Sequence, residues 1–517
     1  MNASAFPTFC AFGRFVRRVT LRCLRRIRLV FFSRKSVVVY AILLTVGTLT
    51  WFADRWHGRH AWETEKARLA AAGESLNFAD LVPAAPPDDQ NFCAIPELAP
   101  LRLLPESETS AGARGPSWKD DPILMWYGQD TELRTLKNGK TFRGKVGLPW
   151  VDADTSFAEV CAIFRKTGAL PKEPLAADPA EELMLSAVQW EDLLQNVDAA
   201  TLRPAAVFIP APNETERIIH HRILPLVKSL LLHGQVCINR GDKQKALRDM
   251  RILNRLSDAV ENETRIISFL VSATIDRQTS EIVRAGMRRH TWTDAELSAF
   301  MENASESAVV TAWSRALAVQ RSSTCRWLEF PSLIPNWMSS PGRSGMMLRS
   351  YWWLLLNHQN LAPEGPRLRL CARTSRFYSS LMEDVTRPLQ PGETWQQRAK
   401  AQINEGMPTW FGESISEGTP QLVVRPVMHS RLFRVACLLE LHYLKNGRYP
   451  ASIEAALPAD THPFADLDGQ PLRYHTDAEG KSFRLWSVAW DGKDDSNNTD
   501  PKTRHEDWLF STAGKTP

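Results

Sequence analysis

Oxygen donors crowd the end of this chain. Asp494, Asp495, Asn497, Asn498 and Asp500 follow one another within a short polar loop. A hard cation such as Ca²⁺ takes about six to eight oxygens from carboxylates, amides and backbone carbonyls, and such a loop supplies all three. It is not an EF-hand, because Gly492 follows Asp491 directly and no glutamate stands at the twelfth position. A solvated acidic turn uses the same residues. Elsewhere, Glu216 and His220 are four apart on a predicted helix, with His221 and His233 close behind. A pair at that spacing can share a metal or a proton, but it is more often a surface pair. Asp120-Asp121, after Lys119, reads as a solvated turn. Gly342-Arg343-Ser344-Gly345 lacks the preceding strand of a nucleophile elbow, and Pro341 abuts it. No Gly-rich phosphate loop, H-E-x-x-H or G-x-S-x-G phrase occurs. The sequence therefore offers no convergent catalytic constellation.

The elements that carry these residues follow from one apolar run. Val37 to Ala53 is uncharged, and its 17 residues make a helix of roughly 25 Å, near the lower limit for crossing a bilayer core. No A-x-A-like site follows Phe52, which favours an uncleaved anchor over a signal peptide. Residues 1–36 hold nine arginines and lysines and no acid. The positive-inside rule keeps this leader in the cytoplasm and sends the bulk of the chain out. The rival uses of Phe12–Phe32, as an Arg-rich targeting helix or a nucleic-acid arm, are less simple than topology. The chain carries +5 and the leader +9, leaving −4 on the remainder, so no basic footprint for nucleic acid lies outside the leader. Of the eight cysteines, Cys10 and Cys23 lie on the leader side. The other six lie where disulfides can form, but Cys237 and Cys437 fall in helical patterns and read as buried small hydrophobes.

Residues 54–150 read as a polar helix stopping at Gly73, then a Pro-rich extended connector over Leu81–Pro116, pinned by Leu101, Leu103 and Leu104. Residues 151–410 read as a helical domain. Helices are expected at Ser156–Thr167 and Ala180–Asn196, then a short β-rich piece at Ala205–Pro210. Further helices are expected after Asn213, whose Glu216 gives capping-box spacing, after Asp242, through Ile267–Ile282, and from Thr293 past Ala312. The stretch LLHGQVCINRGDKQKALRDMRILNRL resembles one helix-turn-helix unit of an α-solenoid, but no regular repeat supports an array of them. An irregular bundle or array is the expectation. Residues 330–367, rich in tryptophan, read either as a loop packed on the bundle or as an apolar patch for a membrane or partner.

Residues 425–517 form the last unit. Met428, Leu432, Val435, Leu439 and Tyr443 share a helix face that ends at Asn446-Gly447, before two or three short strands. The phrases at Asn446–Pro450, Gly469–Tyr474 and Phe483–Gly492 keep the order found in the globular end of type II secretion major pseudopilins, which this unit resembles over roughly its last 90 residues. The feeding helix is internal here and no prepilin-type cleavage phrase precedes Val37, which suggests a borrowed unit in a larger protein rather than a fibre subunit. The resemblance implies a Ca²⁺ held by Asp491 and Asp507, with Glu506 in place of a second aspartate and the Val488 carbonyl as a backbone ligand. The expected protein is mainly α: a single N-terminal transmembrane helix, an irregular helical bundle, and a small C-terminal α+β pseudopilin-like module. Its expected place is a bacterial inner membrane, N-terminus cytoplasmic and bulk periplasmic. Its expected role is a scaffold or protein-interaction protein linked to secretion or envelope organisation. An envelope hydrolase whose site assembles only in three dimensions is the alternative.

Overall fold

The structure, a computed structural model, describes residues 34–82, 84, 86–101, 131–135, 141–145, 150–167, 169–208, 220–330, 364–387, 397–398, 419–457, 464–488, 494 and 508–513. It is mostly helical, with one long apolar helix near the N-terminus and a small three-stranded sheet near the C-terminus.

Helix α1 runs unbroken over Arg34–Ala71. The anchor and the polar helix expected behind it are thus one element, long and apolar enough at its start to cross a membrane. Its large apolar side chains up to Phe52 are bare, Leu44 at 72% and Phe52 at 61% exposure. Beyond them the helix docks, burying Trp62, Glu65 and Leu69, and the chain turns at Gly73 with φ +73°. Over residues 88–101, within its described part, the Pro-rich connector is not extended. It forms 3₁₀ turns at Asp88–Gln90, Phe92–Ala94 and Pro96–Leu101, and Phe92, Cys93, Leu98 and Leu101 sit in the core. Leu101 is pinned as expected, whereas Leu103, Leu104 and Asp120-Asp121 lie outside the described residues. The β-rich reading of Ala205–Pro210 is corrected: Ala205 makes one isolated bridge to Asn91, whose side-chain amide also bonds both backbone groups of Val207.

Strands β1 (Thr131–Thr135) and β2 (Thr141–Lys145) pair antiparallel. The helical body follows with α2 (Phe157–Thr167), α3 (Pro179–Ala187), α4 (Glu191–Ala200), α5 (His220–Arg240), α6 (Lys243–Glu261) and α7 (Ile266–Met287). Gly241, at φ +83°, makes the tight turn between α5 and α6, and Asp242 caps α6 from its side chain. Thr293 and Glu296 form the expected capping box of α8 (Asp294–Asn303). The pattern from Thr293 past Ala312 is two helices, not one: α9 (Glu306–Glu329) starts after a break at Ala304 and Ser305. The Ala304 carbonyl there accepts the hydroxyl of Ser430, 126 residues on, a bond no local pattern foretells.

Helix α10 (Glu364–Thr386) packs along α1 and α9. Gly58 of α1 faces Gly365 of α10 so closely that a Cβ on Gly58 would meet the Gly365 carbonyl oxygen at 2.4 Å. Arg55 and Arg59 pair with Glu364, and Arg369 with Asp54, each at 2.6 Å. Helix α11 (Thr419–Asn446) buries Met428, Leu432, Val435 and Leu439 as expected, half-buries Tyr443, and gives way to Gly447 at φ +71°. Strands β3 (Arg473–Thr476), β4 (Phe483–Ser487) and β5 (Trp508–Ser511) form an antiparallel meander in sequence order. Alternate residues Phe483, Leu485 and Ser487 point inward, as a half-covered sheet requires. One core runs from Phe92 through the helical body to Phe510. Arg284 and Arg288 of α7 tighten that join by donating to the Ser511 and Ala513 carbonyls. The Trp-rich stretch 331–363 lies outside the described residues.

Candidate functional site

The helices converge on an acidic cleft of about 590 Å³, walled by α6, α7, α8, α9 and α11. That volume lies within the usual range of small-molecule sites, about 300–1,000 Å³. Room exists because small residues face each other where a closed core would put large ones: Ser257, Ser272, Ala273 and Ala308 line the space. Asp258 and Glu261 come from α6 and Asp276 from the opposing α7. A second hollow of about 300 Å³ shares Arg255, Asp258 and Glu261 with the first, so the acids stand at the junction of two spaces.

Asp276 is open to solvent within the cleft yet ringed by protein. That crowding strips its hydration and, with Glu261 and Asp258 beside it, pushes its carboxyl up to about 7, a Ser257 hydrogen bond opposing. Desolvation also raises Asp258 and Glu261 above the ordinary carboxylate range, against the pull of Arg255 on the first and Arg315 on the second. The cations at the rim are engaged. Arg251 grips Asp198 at 2.7 and 3.0 Å, and Arg255 holds Asp258 at 2.7 Å and donates to the Arg203 carbonyl at 2.6 Å.

On the α11 wall, His429 Nε2 lies 3.0 Å from Ser280 Oγ of α7. Ser280 donates its proton to the Arg277 carbonyl at 2.7 Å, so the imidazole is the donor in the Ser280 contact. Burial, with Arg277 and Arg425 nearby, pushes His429 down to about 3. The imidazole is therefore neutral and a weak base.

Two other polar clusters are closed. His233 Nδ1 meets Asp249 Oδ2 at 2.5 Å, with Cys237 Sγ 3.7 Å from the ring and Met184 Sδ 3.8 Å from that sulfur. These residues could group around a metal, but Arg248 already neutralises Asp249 through its other carboxylate oxygen, at 3.2 Å. Burial pushes the Cys237 thiol up, away from the thiolate that a metal needs. His233 belongs to a polar core, and Glu216 lies outside the described residues. The second cluster joins the sheet end to the body: fully buried Glu440 accepts from Tyr449 at 2.5 Å and sits 2.9 Å from His290 Nδ1. His290 adopts φ +49° and stacks on Tyr443 at 3.7 Å.

Of the expected calcium ligands, Val488 is described; Asp491, Glu506 and Asp507 lie outside the described residues, as do Asp495, Asn497, Asn498 and Asp500. The Val488 carbonyl accepts from Ser487 Oγ at 3.1 Å, which leaves it a second lone pair. Asp494 accepts from Trp486 Nε1 at 3.1 Å. The six described cysteines are buried and form no disulfide with one another, Cys237 and Cys437 among them as expected. Compared with known proteins, the chain matches no family model, no curated protein and no solved structure.

Proposed function

We propose that the protein is a single-pass, envelope-anchored scaffold or interaction protein, its leader in the cytoplasm of a bacterial cell and its bulk in the periplasm, ending in a pseudopilin-like module. The observation that carries this reading is α1: bare and apolar through Phe52, then locked without a hinge onto α10 by the Gly58–Gly365 approach and the Asp54, Arg55 and Arg59 ion pairs. Such a helix fixes the body against the bilayer surface, with the acidic cleft as the place where that body takes a ligand. Its lipid contacts are Val37–Ala53, and nucleic acid has no place in the reading. The helix-to-meander order of α11 and β3–β5 is compatible with a secretion-type end.

The hydrolase reading has one supporting observation, the Ser280–His429 contact inside the same cleft. Binding is the better account, because the Ser280 hydroxyl is engaged by the Arg277 carbonyl and burial leaves His429 too weak a base to activate it. The test is the side of the membrane on which the C-terminus emerges, read with a reporter fused there. A periplasmic tail agrees with the proposal, and a cytosolic one overturns it.

A further inference from the structure

We propose that the cleft binds an organic cation with an apolar body, its charge set against Asp276 and Glu261 and its body against Phe269, Phe300 and Phe433. This rests on the reading that the cleft is the protein's ligand site.

The charge balance inside the space selects the ligand. Asp258 is matched by Arg255, and Arg251 is turned to Asp198. Among the described residues, Glu261 pairs with Arg315 at 3.7 Å and Asp276 forms no ion pair. An anion entering beside Asp258, Glu261 and Asp276 meets like charge and a cation is attracted there, while the cations Arg277 and Arg425 stand near His429 on the other wall. The walls ask for more than a bare ion. Phe269 is braced by Trp313 at 5.1 Å, Phe300 by Trp292 at 5.2 Å, and Phe433 by Phe510 at 6.1 Å. Rings held in this way are preorganised, and their faces attract ammonium groups as well as alkyl or aryl carbon. A volume of about 590 Å³ admits a molecule far larger than a metal ion. The junction with the second hollow leaves room for a tail beyond Glu261.

The test uses the full chain in nanodiscs of zwitterionic lipid, titrated calorimetrically with benzyltrimethylammonium and, separately, with benzenesulfonate. The expected result is saturable uptake of the ammonium and none of the sulfonate. Asp276→Asn should weaken the ammonium tenfold or more, without lowering the melting temperature. Ala308→Phe, which keeps every charge but fills the space, should abolish uptake. The cation assignment is overturned if folded wild-type protein takes up no ammonium, if Asp276→Asn binds it equally well, or if the sulfonate binds as strongly. Sulfonate uptake would still mark the cleft as a binding site. A cytosolic tail in the topology experiment would remove the envelope reading and leave these titrations untouched.

Discussion

Asp276 shows how a residue can be plain in the sequence and opaque in meaning. It sits on α7 in the polar run 276–281, between Ile275 and Ile282, with its side chain exposed in the cleft. Nothing in that run marks it, and its cleft neighbours Asp258, Glu261 and His429 come from other helices, so no spacing could group them. Its raised carboxyl has a direct consequence. Between the unfolded value of about 4 and the folded value of about 7, the native state keeps a proton that the unfolded chain has lost. Stability therefore falls as pH rises through that window, and Glu263, also pushed up to about 7, adds to the fall. Asp276→Asn should flatten the slope of denaturation midpoint against pH from 4 to 7; an unchanged slope would contradict the assignment. The calcium proposal belongs at this scale too. With Asp491, Asp507, Glu506 and the Val488 carbonyl as ligands, millimolar Ca²⁺ should stabilise the full chain by RT ln(1 + [L]/Kd), read as a higher melting temperature. Equal melting curves with Ca²⁺ and with a chelator would remove it.

Individual helices were legible where their signals are local. Asp242 and the Thr293–Glu296 box start α6 and α8 as their side chains dictate, and Gly447 ends α11. The break between α8 and α9 was not legible, because Ala304 and Ser305 suit a helix and the interruption is tied to Ser430, 126 positions away. The connector misled for a related reason. Its prolines rule out long helices, but Phe92 and Leu98 are drawn into the core while single turns and Asn91 satisfy the backbone. The join of α1 to α10 likewise needs two glycines 307 residues apart in number, invisible as a pair. A Cβ at Gly365 would lie 2.4 Å from the Asp54 carbonyl oxygen, a backbone atom that cannot rotate aside. Gly365→Val should destabilise by about 1–3 kcal/mol through overpacking, read as a lower denaturation midpoint with the Asp54–Arg369 pair disturbed. An unchanged midpoint would mean that the two helices are not held together there.

At the scale of the whole molecule, composition and hydropathy already carried the main division: a basic leader, an apolar span, and a mildly acidic remainder of helices ending in a small sheet. What they could not carry was continuity. One helix serves as both span and docking element: its Trp62 packs in a cluster of its own with residues of α9 and α10, beside the core that extends from Phe92 to Phe510. The salt bridges along α1 bind that helix to the body rather than leaving a swinging tether. Everything said of compartment, calcium and ligand access depends on which side of the bilayer this body occupies. A reporter that is active only outside the cytoplasm, fused after Pro517 of the full chain, decides it. The account predicts an active reporter and a matching silent signal from a cytosol-only reporter at the same point. The reverse pair of signals would place the body in the cytosol and contradict the account.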